Sequence, residues 1–346
     1  MLEWNDATKR YRLHDLMRDF ARQRLTANES DAAALRHATY YGTVLASADD
    51  LYLEGGDSFM RGLALFDLER GNIQAGQAWA AALAAKDRDA AELATGYPDW
   101  GAYTLDIRQH PRARIRWREA ALAAARQLKN RKVEGHHLGS LGIAFGSLGD
   151  HRRAIDYHEK AQVIFREIGD LRGESTALSS LGTEHFSLGD YSRSIDYCER
   201  QLELAQRIDD SRSQGAAMCG LGRAYARMGD HQRAIAYDEK ALAILCEIGD
   251  RRGQSAVLGI LGAAYHLSGD LGRAISYYDQ QLEITREIGH RKGEGNALWN
   301  MSLALDELGE RKKAISHAEA SLEIREQIED PNAAKVRKQL EQWRSA

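Results

Sequence analysis

The sequence predicts an all-α solenoid of antiparallel helix hairpins, and three observations carry that prediction. From about Val133 to Asp330 the chain repeats every 40 residues, through Gly149-Asp150, Gly189-Asp190, Gly229-Asp230, Gly269-Asp270 and Gly309-Glu310. Eight residues earlier stand Leu141-Gly142, Leu181-Gly182, Leu221-Gly222 and Leu261-Gly262, fading to Met301-Ser302. Between these marks apolar residues fall at helical spacing, as in Leu138, Leu141, Phe145, Leu148 and then Ile155, Ala161, Ile164 and Ile168. Five periods in register mean stacked repeats, each unable to bury its apolar face without its neighbours.

The punctuation explains the hairpin. Gly149 stands where a helix must stop, since glycine accepts the left-handed backbone that satisfies the last carbonyls. Asp150 stands where the next must start, accepting from orphan amides and complementing the dipole. A second stop closes each unit, at Ile168-Gly169-Asp170, Ile208-Asp209-Asp210, Ile248-Gly249-Asp250, Ile288-Gly289-His290 and Ile328-Glu329-Asp330. The glycines at 142, 182, 222 and 262 lie mid-helix, where each costs about 1 kcal/mol against alanine. Their recurrence predicts a close helix approach, with Ala154, Ala161, Ala234 and Ala274 as the expected small counterparts.

The pattern Leu-Gly-x-x-Phe/Tyr-x-x-x-Gly-Asp-x-x-x-Ala-Ile-x-Tyr-x-x-x-Ala resembles the tetratricopeptide repeat, in the 40-residue form found in kinesin light chains and bacterial regulators. Leu141 to Ala161 fits it best; the last unit, with Met301-Ser302 and His317, departs most. The resemblance implies a right-handed superhelix whose concave face is lined by first helices. Carried onto this chain, that face comprises His136, Ser140 and Ile143; then Ser180, Thr183 and Phe186; then Cys219, Arg223, Ala226 and Arg227. It continues through Gly259, Ala263 and His266 to Asn296, Trp299, Asn300 and Asp306. Relatives that clamp an extended peptide set asparagines beside the Leu-Gly mark. Here Asn300 alone fills that place, against Ser140, Ser180, Gly220 and Ile260, so a generic backbone clamp is disfavoured.

Residues 1–28 stand apart. Leu2-Glu3-Trp4 and Arg10-Tyr11-Arg12-Leu13 predict a short β-hairpin, followed by an amphipathic helix from His14 to Leu25. Leu13-His14-Asp15 and the residues around it resemble the end of the winged-helix subdomain in NB-ARC (STAND) signalling ATPases, where the histidine approaches nucleotide phosphates. That resemblance makes His14 the remnant of a nucleotide motif and implies an ATPase core upstream of the repeats. The chain itself carries no Gly-x-x-x-x-Gly-Lys-Ser/Thr loop, so His14 is expected to be structural here. Residues 29–87 read as a helical entry region, with a helix from Asp31 to Leu53 and two more, Phe59–Glu69 and Ile73–Ala85, split at Gly71-Asn72. Residues 88–132 read as a degenerate first repeat, with Trp117 at the Tyr157 register and Gln109-His110-Pro111 as its turn. Five units fill 133–330, and 331–346 is a capping helix with Val336 and Leu340 inward.

Composition narrows the function. A net charge of −4 gives no general pull toward nucleic acid or membrane, and no apolar run approaches a membrane span. Cys198, Cys219 and Cys246 fall at no paired spacing, so neither disulfides nor zinc is expected, and no signal peptide is visible; the cytoplasm is the default. Nine basic residues stand between Arg108 and Lys132 against Glu119 alone, with Arg112, Arg114, Arg116 and Arg118 as a candidate patch for an acidic partner. Limited aromatic interleaving favours a solvated, neutralised helix face over nucleic-acid binding. His136-His137 diverge by about 100° on a helix, so they form no chelate alone. The tyrosines at 157, 197, 237 and 277 read as packing positions. No catalytic constellation emerges, and no cofactor, metal or enzymatic activity is expected. The expected function is a protein- or peptide-binding scaffold, the sensor or interaction arm of a STAND-type regulator. A solenoid closing on a metabolite or sugar, a free-standing adaptor and a self-association module are the alternatives.

Overall fold

The computed structural model describes residues 2–5, 10–13 and 23–345. Strands β1 (Leu2–Asn5) and β2 (Arg10–Leu13) pair antiparallel, Leu2 opposite Leu13 and Trp4 opposite Tyr11. Of the helix expected from His14 to Leu25, residues 14–22, His14 among them, lie outside those described. Sixteen helices follow among the described residues: α1 (Ala27–Glu54), α2 (Gly56–Leu83), α3 (Arg88–Trp100), α4 (Ala102–Arg108), α5 (Pro111–Gln127), α6 (Arg131–Ser147), α7 (His151–Glu167) and α8 (Leu171–Ser187). The second half carries α9 (Tyr191–Arg207), α10 (Ser211–Met228), α11 (His231–Glu247), α12 (Arg251–Leu267), α13 (Leu271–Glu287), α14 (Arg291–Glu307), α15 (Arg311–Gln327) and α16 (Ala333–Ser345). Residues 1–174 and 175–346 form two compact units.

In the first unit α1 and α2 are long antiparallel partners. Thr26 caps α1 by accepting from Glu29 N, while the Glu29 carboxylate accepts from Thr26 N at 2.9 Å. The sequence expected α2 to break at Gly71-Asn72; it runs through. Phe66 and Ile73, one on either side, are both wholly buried in the core with Leu45 and Tyr97, and that packing outweighs a glycine penalty of about 1 kcal/mol. Asn72 donates to Glu69 Oε2 at 2.9 Å instead of capping a new helix. The following region departs from a full repeat because α3 ends at Gly101, where a Cβ would lie 2.4 Å from Leu45 Cδ1. Asp49 then accepts from Thr104 N at 2.7 Å, satisfying the start of α4. His110 caps α5 with Pro111 at its first position, and Trp117 is buried beside Tyr97.

The hairpin turns follow the local chemistry read from the sequence. Gly149, Gly189, Gly229, Gly269 and Gly309 all lie at φ between 79° and 85°. Asp150 N donates to Phe145 O at 3.0 Å, and Asp150 Oδ1 accepts from Arg153 N at 3.3 Å, so one dipeptide ends α6 and opens α7. Within the second unit α10 pairs with α11, α12 with α13 and α14 with α15; α16 then packs on α15. A continuous core links Leu245, Leu261, Tyr278, Trp299 and Leu305 with Val336, Leu340 and Trp343 of α16.

The mid-helix glycines face large side chains, not the alanines expected from the sequence. A Cβ on Gly142 would lie 2.5 Å from His158 Cε1, on Gly222 2.2 Å from Asp238 Oδ1, and on Gly262 2.5 Å from Tyr278 Cε1. Gly182 is looser, 3.0 Å from Cys198 Sγ. In the last hairpin the roles reverse: Ser302 replaces glycine and Ala318 stands opposite, both wholly buried. A glycine there leaves room for a larger partner, and serine is matched by a small one, as close packing demands. The recurrent tyrosines are half-buried stacking partners: Tyr157 lies on Phe145 at 5.4 Å, Tyr237 on Tyr225 at 5.6 Å and Tyr277 on Tyr265 at 5.4 Å, within 10° of parallel.

Candidate ligand-binding groove

In the second unit the first helices of successive hairpins turn one apolar face inward and leave a small-residue face outward. Along α10, Leu221 and Ala224 are buried while Arg223 and Arg227 are exposed. Phe186 of α8 lies beneath both arginines, their guanidinium carbons 5.0 and 5.8 Å from its ring centre, and Arg227 also covers Tyr191 at 5.3 Å. These contacts hold the arginines extended over aromatic faces. Ser180 and Thr183 donate back to carbonyls of their own helix, at 3.1 and 3.0 Å, so their hydroxyl protons are already used.

Beyond Arg227 the surface opens into a groove of about 790 Å³. Its floor is α12, through Ala256, Gly259, Ile260 and Ala263; Ala226 and Arg227 form one wall, Asn296 and Asn300 the other. Arg325, itself 4% exposed, donates to Asn296 Oδ1 at 2.8 Å and is paired with Asp330 at 2.5 Å, which fixes the Asn296 amide. Among the groups lining this groove that sequence reasoning missed are Asp238, Gln281 and His290. The signal was present, because Asp238 is an acid at a register otherwise held by His158, Cys198, Tyr278 and Ala318. Asp238 is 1% exposed, and burial pushes its carboxyl up to about 7 against a partial offset from Arg223. Cys219 is half-buried, its thiol pushed up to about 11 by burial, so it offers no thiolate nucleophile.

Other expected face residues stand elsewhere. Trp299 belongs to the core: it is 8% exposed and stacks on Trp343 at 6.3 Å, because α16 covers that side of α14. His266 Nε2 lies 3.1 Å from Glu307, and Asp306 pairs with Arg311. In the first unit His136 is exposed against the Phe165 ring, while Ser140 and Ile143 line a separate recess of about 230 Å³ with Arg114 and Arg118. The basic stretch there is largely neutralised: Arg114 pairs with Asp106, Arg118 with Asp99 at 3.4 Å, Arg108 with Asp67 at 3.0 Å and Arg126 with Glu134 at 2.8 Å. Arg112 and Arg116 are exposed. Among the described residues no cluster of three or more His, Cys, Asp or Glu side chains could hold a metal ion, and no helix is long and apolar enough to cross a membrane.

Residues 173–247 and 254–327 match the family model of the tetratricopeptide repeat. No curated protein matches the chain significantly. Among solved structures, BtubC from P. vanneervenii is 16% identical, with a TM-score of 0.59 over 64% of this chain and 93% of that one. A signal transduction ATPase with numerous domains (STAND) from Pyrococcus horikoshii, with a tetratricopeptide repeat sensor, is 17% identical with a TM-score of 0.56. That match covers 97% of this chain, which spans about half (52%) of the Pyrococcus protein. A Rap protein complexed with competence and sporulation factor is 14% identical, with a TM-score of 0.54 over 92% of this chain and 98% of that one. At these identities the likeness is one of fold. Over residues 173–247 and 254–327 repeat sequence and helix-hairpin architecture agree: this part of the chain is built of tetratricopeptide repeats.

Proposed function

We propose that the chain is a scaffold that binds a segment of another protein along the groove over α12. The supporting observation is the groove itself: an open trough with a floor of small residues, apolar side chains along it and side-chain amides on one wall. Such a surface accepts a helix or loop, gaining apolar contact from the floor and orientation from Asn296 and Asn300. Ala256 is exposed on that floor, so Ala256→Trp closes the trough without entering the core. Peptides selected from a displayed random library should bind the wild-type chain saturably and lose at least about tenfold in affinity on Ala256→Trp, roughly 1.4 kcal/mol. Binding indifferent to that substitution would refute the groove as the site.

In a full-length protein the chain would act as the interaction arm of a signalling ATPase in the cytoplasm. Leu13-His14-Asp15 supports this, as does the match of nearly the whole chain to about half of a STAND protein. A reading frame upstream of Met1 that encodes a P-loop is the expected finding; one without it favours a free-standing adaptor. The groove's volume also falls within the range of small-ligand cavities. A metabolite or sugar that raises the melting midpoint, in the absence of any selectable peptide, would favour that second reading.

A further inference from the structure

Beside its floor of small residues the groove is lined by buried polar groups that the fold leaves unsatisfied. Neither carboxylate oxygen of Asp238 has a hydrogen-bond partner, and Gln281 Oε1 and His290 Nδ1, which line the same groove, have none either. A buried polar atom left unpaired costs on the order of 1–3 kcal/mol, and a charged one more. Packing does not require an acid at this position. The slot opposite the mid-helix glycine holds histidine, cysteine or tyrosine in the other hairpins, and alanine opposite Ser302. An aspartate there carries a desolvation cost without a structural return, and it is the one member of the register that lines the groove.

We infer that Asp238 anchors a cationic group of the bound segment, a lysine or arginine side chain or a free amino terminus. This rests on the groove being the binding face. An ammonium or guanidinium supplies several N–H donors to the two orphaned oxygens and neutralises a buried charge at the same moment. Gln281 Oε1 adds a neutral acceptor lining the same groove. The rim carries the opposite sign, with Arg227 and Arg252 exposed, so an acidic or neutral flank beside the basic residue suits the groove better than a run of cations.

The test uses fluorescein-labelled random peptide pools of equal length, matched except that one carries lysine, one arginine and one norleucine, each with free and acetylated amino ends. They are titrated against the wild-type chain, Asp238→Asn, Asp238→Cys and Ala256→Trp. Asparagine keeps the shape, and cysteine already occupies this register at Cys198, so both variants should fold. Wild type should prefer a pool carrying a cation, on a side chain or at a free amino end, to acetylated norleucine by about tenfold or more. The preference should vanish in both Asp238 variants while binding of acetylated norleucine stays within about twofold. If the acetylated cationic pools keep the preference the anchor takes a side chain; if it resides in the free amino end alone, it takes the terminus. A preference that survives Asp238→Asn overturns the inference. So does its absence in wild type when Ala256→Trp still abolishes binding, and the groove reading then stands. No saturable binding by any pool, or binding untouched by Ala256→Trp, overturns both.

Discussion

The slot opposite the mid-helix glycine makes two hairpins respond to acid in opposite senses. His158 and Asp238 occupy the same register, each 1% exposed and each without a hydrogen-bond partner. Burial pushes His158 down from 6.5 to about 4 and Asp238 up from 3.8 to about 7. The folded pKa of His158 is depressed, so its contribution is fully present above pH 6.5 and is lost as pH falls toward 4. The folded pKa of Asp238 is raised, so its contribution is fully present below pH 3.8 and is lost as pH rises toward 7. At about 1.4 kcal/mol per unit, moving from pH 7 to pH 5 costs the α6–α7 hairpin about 2 kcal/mol and returns about 2 kcal/mol to α10–α11. Buried His137 on α6, also depressed by burial, reinforces the first effect; the positive charge of Arg223 already tempers the second. Repeat arrays open locally, so native-state hydrogen exchange with mass spectrometry can read each hairpin separately once intrinsic rates are corrected for pH. Protection should fall roughly 30-fold in α6–α7 and rise by a similar factor in α10–α11. His158→Cys and Asp238→Asn should each flatten the response of their own hairpin. Shifts of the same sign in both hairpins, or shifts that persist in the variants, would refute the reasoning.

Three further substitutions test the packing. Gly262→Ser should destabilise by about 1–3 kcal/mol through overpacking against Tyr278, and Tyr278→Ala by about 3–5 kcal/mol, yet the double variant recreates the native Ser302–Ala318 pair. A denaturant double-mutant cycle should therefore show a favourable coupling of about 1 kcal/mol or more, and strict additivity would sink the slot model. Glu329 holds φ 53° at a turn where Gly169, Gly249 and Gly289 stand in equivalent places, so Glu329→Gly should stabilise by about 1 kcal/mol in the same assay. Arg325→Met removes one partner of Asp330, which keeps the donors of Asn332, and should lower the urea midpoint, with Asp330→Asn recovering part of the loss. An unchanged urea midpoint for Arg325→Met would show that the pair is not needed.

What was legible from sequence divides along a physical line. The turns were readable because Gly149 and Asp150 act on backbone groups within a few residues of themselves, and the period repeats that local chemistry five times. Gly71 misled for the opposite reason: glycine next to asparagine looks like a stop, but Phe66 and Ile73 are buried on either side and tertiary packing carries the helix through. The glycine partners were misassigned because sequence shows that space is needed without showing which atoms fill it; His158 and Tyr278 do, not Ala154 or Ala274. Trp299 read as a wall of the groove and is core, because its environment depends on α16, whose Trp343 meets it from 44 residues downstream. Asp238 escaped notice because the register around it looks like packing.

That last miss bears on how such an array can acquire a ligand. The slot sets room rather than a fixed volume: glycine admits His158, Cys198, Asp238 or Tyr278, and where serine replaces glycine the partner shrinks to Ala318. Room is a weak constraint on chemistry, since polar and apolar side chains alike fill it at a cost of a few kcal/mol. A long array shares that cost among neighbouring interfaces, so one hairpin can carry a destabilising polar group without unfolding the rest. In a single compact core of the same size, an orphaned carboxylate would draw on the whole margin of stability. A repeat fold therefore lets a packing position become a binding position one unit at a time. Asp238 is where this chain has the geometry for it: a buried acid packed opposite Gly222 that also lines the groove.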